Sequence, residues 1–363
     1  MANPYWLGTA PAVAQVVTGT PANVAIGNVF NISVNGVVIA TFTATATTVG
    51  NVTAGLVAAW NAASAAGVPY AYAAVAADLS TAFTLTASVP GVPFAVTMTA
   101  TGGTATLTPA TTVASSGPND WSTAANWSTG SVPATGDNIT IRGTVSILWG
   151  LNQSGVVPAS ITVLDDFISI ASLGLPYASY TYSPGSSTPT AAEYRTDSLT
   201  FATSSTSAIA ATIGTAAGAN TGNGQNILKM DFGTANVTLK QFGAGGGTGV
   251  STLPTARYRV NNSSAAVYCY GGAMAINAEK PGDSGTVGTV TEYGDAVILG
   301  SGLTQTTFNQ YGGIAVMNNA PTTVTFEAGA TLLAAGTGTI TTLNHRGTLT
   351  PSGGAYTITN YKG

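Results

Sequence analysis

The sequence predicts a mainly β protein, a small N-terminal α+β domain followed by a β-helix, a solenoid of stacked strands. Three observations carry that expectation. Apolar residues alternate at period 2 in short runs over most of the chain, a single early segment has helical spacing, and the last forty residues repeat Thr-rich segments at a fixed interval.

Residues 1–20 read as an arm, punctuated by Pro4 and Pro11, with Tyr5 and Trp6 near its start as aromatics that need burial against the chain itself or a neighbour. Residues 21–110 read as the α+β domain. Phe30, Ile32 and Val34 alternate with polar residues, and Asn35-Gly36 then offers the positive φ of a two-residue hairpin turn before a second strand from Val37 to about Thr45. The period changes after Thr48, a candidate N-cap. Val49, Val52, Leu56, Trp60 and Ala63 recur at three and four, and Gly67 with Pro69 closes the helix; Gly55 weakens it by about 1 kcal/mol relative to Ala. Alternation returns at Phe83–Val89 and, after Pro90-Gly91, at Phe94, Val96 and Met98, which together give a sheet covered by one helix.

Residues 111–120 read as a linker by composition and residues 121–363 as the β-helix. Segments begin at Thr323, Thr331, Thr339, Gly347 and Ala355, each eight residues after the last, as expected of stacked units that cannot bury an apolar face alone. A jelly roll or sandwich is the competing architecture, since it also gives short, evenly spaced strands. The run from Trp121 through Trp127, Gly136-Asp137 and Ile139 to Ile141 suits an exposed first coil, with Trp127 as the plug over its open end.

Composition excludes several function classes. Of 363 residues, 45% are hydrophobic and only 6% charged, against about a quarter in an ordinary soluble domain. That composition is not one of disorder. The densest apolar stretch, Gly55–Trp60, stops at Asn61, too short to cross a membrane. No Lys, Arg or His precedes Arg142, so nucleic-acid binding is not expected. Residues 1–6 lack the pattern of a secretory signal, which points to synthesis in the cytoplasm. One cysteine and one histidine leave no internal disulfide and no zinc set, and no cofactor is expected.

No catalytic constellation stands out. Asp165-Asp166 is the one adjacent acid pair, and on an extended strand its side chains point to opposite faces. Glu193, Asp197, Glu279, Asp283, Glu292 and Asp295 are scattered; Asp283 and Asp295, each beside a glycine, fit turn positions. His345 reads as a solvent-facing loop residue and Cys269 as a small apolar core residue. The run Gly243–Gly249 lacks the Gly-Lys-Ser/Thr ending of a phosphate loop and reads as a turn. The Asn-X-Ser/Thr triplets carry no weight without a secretory signal.

The Trp121–Asp137 run resembles the entry segment of β-helical regions in bacterial surface and phage structural proteins. Ile147–Gln153, Leu173-Gly-Leu-Pro176 and Glu193-Tyr-Arg195 followed by Leu199 are similar in order and spacing to a family of uncharacterised tailed-phage and prophage proteins. Trp149 departs from that pattern, where a smaller aromatic is expected. The α+β segment resembles a module of other phage structural proteins. The resemblance implies a non-enzymatic virion protein, a homotrimeric decoration or cement protein held on the major capsid protein, with Tyr5, Trp6, Trp121 and Trp127 as anchor or interface residues. A tail-fibre or host-recognition protein, with or without polysaccharide depolymerase activity, is the rival it leaves open, and a secreted surface adhesin or fibril subunit is a further one.

Overall fold

The structure, a computed structural model, describes residues 2–34, 36–68, 70–168, 170–174, 198–201, 208–215, 227–243, 256–278, 283–351 and 353–363. The chain is mainly β, and it divides into two compact units, one built on Thr9–Thr123 and the other on residues 2–8 with the described residues from Ala124 onward.

The first unit holds two antiparallel sheets and a helix. One sheet has the order β4-β5-β1-β7, from β1 (Val16–Ala22), β4 (Ala74–Asp78), β5 (Phe83–Ala87) and β7 (Thr106–Val113); the other has the order β3-β2-β6, from β2 (Val29–Val34), β3 (Val37–Thr43) and β6 (Val96–Thr101). Strands β2 and β3 pair from Val34↔Val37 outward, and Gly36 takes φ +82° in the turn; Asn35 lies outside the described residues. Phe30, Ile32 and Val34 are fully buried, as their alternation requires.

Helix α1 (Val49–Ala65) buries Val52, Thr53, Leu56, Trp60 and Ala63. Thr48 has the extended backbone of an N-cap, but its side chain makes no cap hydrogen bond; instead Asn51 Oδ1 accepts from the N–H groups of Thr45 and Ala46. Gly55 has a packing reason: a Cβ there would collide with the ring of Phe42. Composition alone misplaced two boundaries. Val16–Thr20 of the expected arm and Thr111–Val113 of the expected linker belong to paired strands, with Val17 opposite Thr111 and Thr18 opposite Ala110.

The second unit carries a long parallel sheet of two interleaved ladders. The first runs through β8 (Asn138–Ile141), β10 (Ser160–Val163), β12 (Ala208–Ile213), β14 (Asn236–Gln241), β16 (Asn262–Cys269), β18 (Ser284–Glu292), β20 (Gly302–Gln310) and β22 (Thr323–Phe326). The second runs through β9 (Asn152–Gln153), β11 (Leu199–Phe201), β13 (Leu228–Asp231), β15 (Ala256–Arg259), β17 (Ala273–Ile276), β19 (Ala296–Leu299) and β21 (Ile314–Asn319). Strand β23 (Thr331–His345) serves both ladders. Its first part pairs with β21 and β24 (Thr348–Pro351), its last with β22, and its middle and last parts with β25 (Ala355–Lys362). Ile314 pairs with Thr331 and Thr331 with Thr348, a strand repeat of 17 residues, close to two of the eight-residue segments seen in sequence.

One side of each strand faces inward, and those residues are the core: Ile139, Ile161, Ile209, Val237, Val267, Val290, Phe308 and Val324 are at most 1% exposed. Two local expectations fail here. Asp165 and Asp166 open a one-turn helix, α2 (Asp165–Ile168), where Asp165 bonds Thr215 and Asp166 accepts from the Gly143 N–H. His345 ends strand β23 instead of lying in a loop; its ring packs on Phe326 at 4.6 Å and its Nδ1 bonds the Tyr361 hydroxyl at 2.8 Å.

Candidate functional site

Where first-ladder strands end and the chain turns toward the second ladder, a four-residue pattern recurs. Leu239-Lys-Gln241-Phe, Val267-Tyr-Cys269-Tyr, Val290-Thr-Glu292-Tyr and Phe308-Asn-Gln310-Tyr each place an apolar residue and then a polar one inward, followed by an aromatic outside. Gln241, Cys269, Glu292 and Gln310 are register partners in succession and all 0% exposed. Such a column holds only if its polar atoms are satisfied. Gln241 Nε2 donates to the carbonyls of Gly271 and Ala273 at 3.2 and 3.3 Å, and its Oε1 accepts from the buried Tyr258 hydroxyl at 2.8 Å. Gln310 Nε2 donates to the carbonyls of Gly313 and Thr331 at 3.1 and 3.0 Å.

Two members of the column fall short: Gln310 Oε1 and both carboxyl oxygens of Glu292 have no hydrogen-bond partner among the described residues. Burial first, then the nearby Asp295 charge, pushes the Glu292 carboxyl up to about 9, so it is neutral at ordinary pH. Burial also raises the Cys269 thiol, and the Glu292 and Asp295 charges raise it further; Sγ lies among the carbonyls of Gly272 at 3.5 Å, Gly294 at 3.8 Å and Gly271 at 3.9 Å. Asp295 sits in the turn its sequence suggested, at φ +65°, with Oδ2 accepting from the Gly272 N–H.

Outside the same turns, Phe242, Tyr270, Tyr293 and Tyr311 stack in one row with centroids 4.8, 4.8 and 5.2 Å apart. The tyrosines are 39–47% exposed, so the row shows water its ring edges and hydroxyls. It borders the side of the second ladder opposite the core residues, where Lys229 and Arg257 come first in register, Ala273, Ala275, Ala296 and Ile298 are themselves buried at 1–8% exposed, and Ile314, Val316, Thr331 and Leu333 follow. Ile314, Val316 and Leu333 are only partly covered. The outward side of the first ladder is different, with Thr289, Thr307, Asn309, Thr323, Thr325, Thr342 and Asn344 in register.

The aromatics singled out in sequence have distinct places. Residues 2–6 lie along strand β8, whose Asn138 and Thr140 N–H groups donate to the carbonyls of Ala2 and Pro4, while the Trp6 N–H donates to Thr140. Trp6, 2% exposed, meets Trp127 edge to face at 5.2 Å, and its indole N–H donates to the Val145 carbonyl at 2.9 Å. Ser128 closes the far side of this added strand through the Tyr5 N–H and carbonyl. Tyr5 itself is 41% exposed beside Arg142, and Trp121 is fully buried in the unit of residues 9–123.

Asp231 and Asp283 both pair with Arg259, at 3.0 and 3.7 Å, and Glu327 pairs with Arg346 at 3.5 Å. Among the described residues no group of three or more metal-ligating side chains occurs. Glu193, Asp197, Glu279 and most of the Gly243–Gly249 run lie outside the described residues. Comparison with family models, with curated proteins and with solved structures finds no match.

Proposed function

We propose that this is a non-enzymatic virion structural protein, a homotrimeric decoration protein on a phage head, whose two ladders close into a β-helix. The observation that carries the reading is the partly exposed apolar end of the second ladder's outward side, Ile314, Val316 and Leu333, beside the stacked tyrosines. Apolar surface contributes roughly 25 cal/mol per Å² on burial, and tyrosines are favoured at interfaces because an apolar ring ends in a hydroxyl. Three flat flanks of this kind meet around a threefold axis, each strip covered by the next copy. The edge of β8, closed by residues 2–6 and Ser128, resists end-to-end growth and favours side-by-side assembly. Of the anchor candidates, Tyr5 is the one with surface to offer the major capsid protein, since Trp6, Trp121 and Trp127 are spent on the chain's own core.

Sedimentation equilibrium tests the assembly. The expected result is a trimer at low and at molar salt, and a folded monomer on Val316→Asp or Leu333→Asp. Dissociation of the native protein by salt, or a native monomer, overturns it. Copy number in purified particles then places the protein: copies comparable to the major capsid protein mean decoration, and a few per particle mean the tail-fibre reading.

A further inference from the structure

We propose that Cys269 and Gln241 become joined by an intramolecular thioester inside the folded coil. This does not depend on the trimeric reading. Gln241, Cys269 and Glu292 are consecutive register partners on β14, β16 and β18, so their Cα atoms stand roughly 4.7–4.9 Å apart on one inward column. Thiol and amide converge on one atom: the Gly271 carbonyl lies 3.9 Å from Cys269 Sγ and 3.2 Å from Gln241 Nε2.

The amide is held as an acyl donor. Its nitrogen is fixed by two carbonyls, and its oxygen already accepts from the Tyr258 hydroxyl at 2.8 Å, a donor placed where negative charge develops when sulfur attacks Cδ. On the other side of the thiol stands Glu292, 0% exposed, but its Oε1 faces the Gly313 turn one coil on, away from Gln241, so the proton travels between thiol and amide without it. A buried thiol is a poor nucleophile in free solution, but fixed reactants with water excluded raise the effective concentration enough to offset that.

The step balances without a co-reactant. The Cys269 Sγ–Gln241 Cδ bond forms and the Cδ–Nε2 bond breaks. The thiol proton passes to Nε2 and ammonia leaves; nothing is oxidised or reduced. Burial then protects the thioester from hydrolysis and ties two adjacent strands of the first ladder together covalently.

Intact-mass measurement of the full chain, unfolded in acid, tests it. The expected native mass is lower than the sequence mass by one ammonia, with Cys269 refusing iodoacetamide until hydroxylamine opens the bond, frees the thiol and leaves a hydroxamate on Gln241. Cys269→Ser is expected at full sequence mass. Tyr258→Phe is expected to accumulate unlinked chain. A native chain at full mass whose Cys269 alkylates completely once unfolded overturns the proposal, and this measurement needs no variant to fold. Complete linkage in Tyr258→Phe removes the hydroxyl from the step.

Discussion

Replacing Glu292 with Gln should flatten the dependence of stability on pH. The carboxyl has an ordinary value of 4.5 and is raised to about 9 in the folded chain, chiefly by burial. At pH values below 4.5 both folded and unfolded chains hold the proton, and the group costs nothing. Between 4.5 and 9 the folded chain keeps its proton while the unfolded chain releases it, so stability falls as pH rises across that window. Each unit corresponds to about 1.4 kcal/mol, which sets a ceiling of roughly 5 kcal/mol lost by pH 8. The amide has no proton to lose, and it suits a column in which Gln241 and Gln310 already donate to turn carbonyls. Urea unfolding of both proteins at pH 5 and pH 8 reads the effect. The native protein should lose several kcal/mol more than the variant between the two conditions. A covalent tie between Cys269 and Gln241 shifts both pH values alike, so the difference in slope is the readout. Parallel pH profiles for the two proteins would refute the buried neutral acid.

Three further substitutions probe the cap and the turns. Trp6→Ala removes a side chain that is 2% exposed, its edge-to-face contact with Trp127 and its bond to Val145; unfolding should be easier by about 3–5 kcal/mol, with faster amide exchange at Asn138 and Thr140. A cost below about 1 kcal/mol would mean that residues 2–6 do not cap the ladder. Gly313→Ala should cost clearly more than Gly329→Ala. Both glycines have positive φ, +69° and +92°, but a Cβ at 313 meets the Asp295 carbonyl and Glu292 Oε1 at 2.6 Å, whereas a Cβ at 329 meets nothing within 4 Å. Position 329 should lose only the left-handed penalty of roughly 1–2 kcal/mol, and equal losses in thermal or urea unfolding would contradict the packing at the Glu292 turn.

Local patterns were legible wherever one period dominated. Phe30, Ile32 and Val34 announce a half-buried strand, and Val52, Leu56 and Trp60 a helix face, because neighbours in sequence decide those contacts. Pairing in the parallel sheet was not legible, since each strand's partners lie a whole repeat away and the repeat varies. From Gln241 to Cys269 is 28 residues, from Cys269 to Glu292 is 23, and from Glu292 to Gln310 is 18. The apolar-x-polar-aromatic pattern could have revealed the column despite that, had it been sought without a fixed period. Glu292 between Thr291 and Tyr293 looks like a surface acid, and only the parity of its strand with Val290 turns it inward. The arm and the linker misled for a different reason. Thr-, Pro- and Ala-rich stretches such as Leu107–Val113 read as irregular by composition, yet an antiparallel partner, β1, gives their backbone groups somewhere to bond.

The scarcity of charge has a structural counterpart. A parallel ladder satisfies its own backbone groups, and the described flanks use Thr, Asn and apolar side chains where an ordinary soluble protein uses Lys and Glu. Bringing two ionic surfaces together requires desolvating ions, a cost of several kcal/mol each that pairing only sometimes recovers. The strip formed by Ile314, Val316 and Leu333, with Tyr293 and Tyr311 at its rim, carries no ion to desolvate, and its hydroxyls can keep or exchange their water. Such a flank gains from contact with another apolar surface at any ionic strength and has little to gain from a polyanion. The charged residues that do occur near the turns are either neutralised by burial, as Glu292 is, or matched locally, as Arg259 is by Asp231 and Asp283. On β13, β14 and β15 the outward positions do carry charge, at Lys229, Asp231, Lys240, Arg257 and Arg259, so it is along Ile314, Val316 and Leu333 that contact with an apolar surface requires no ion to be desolvated.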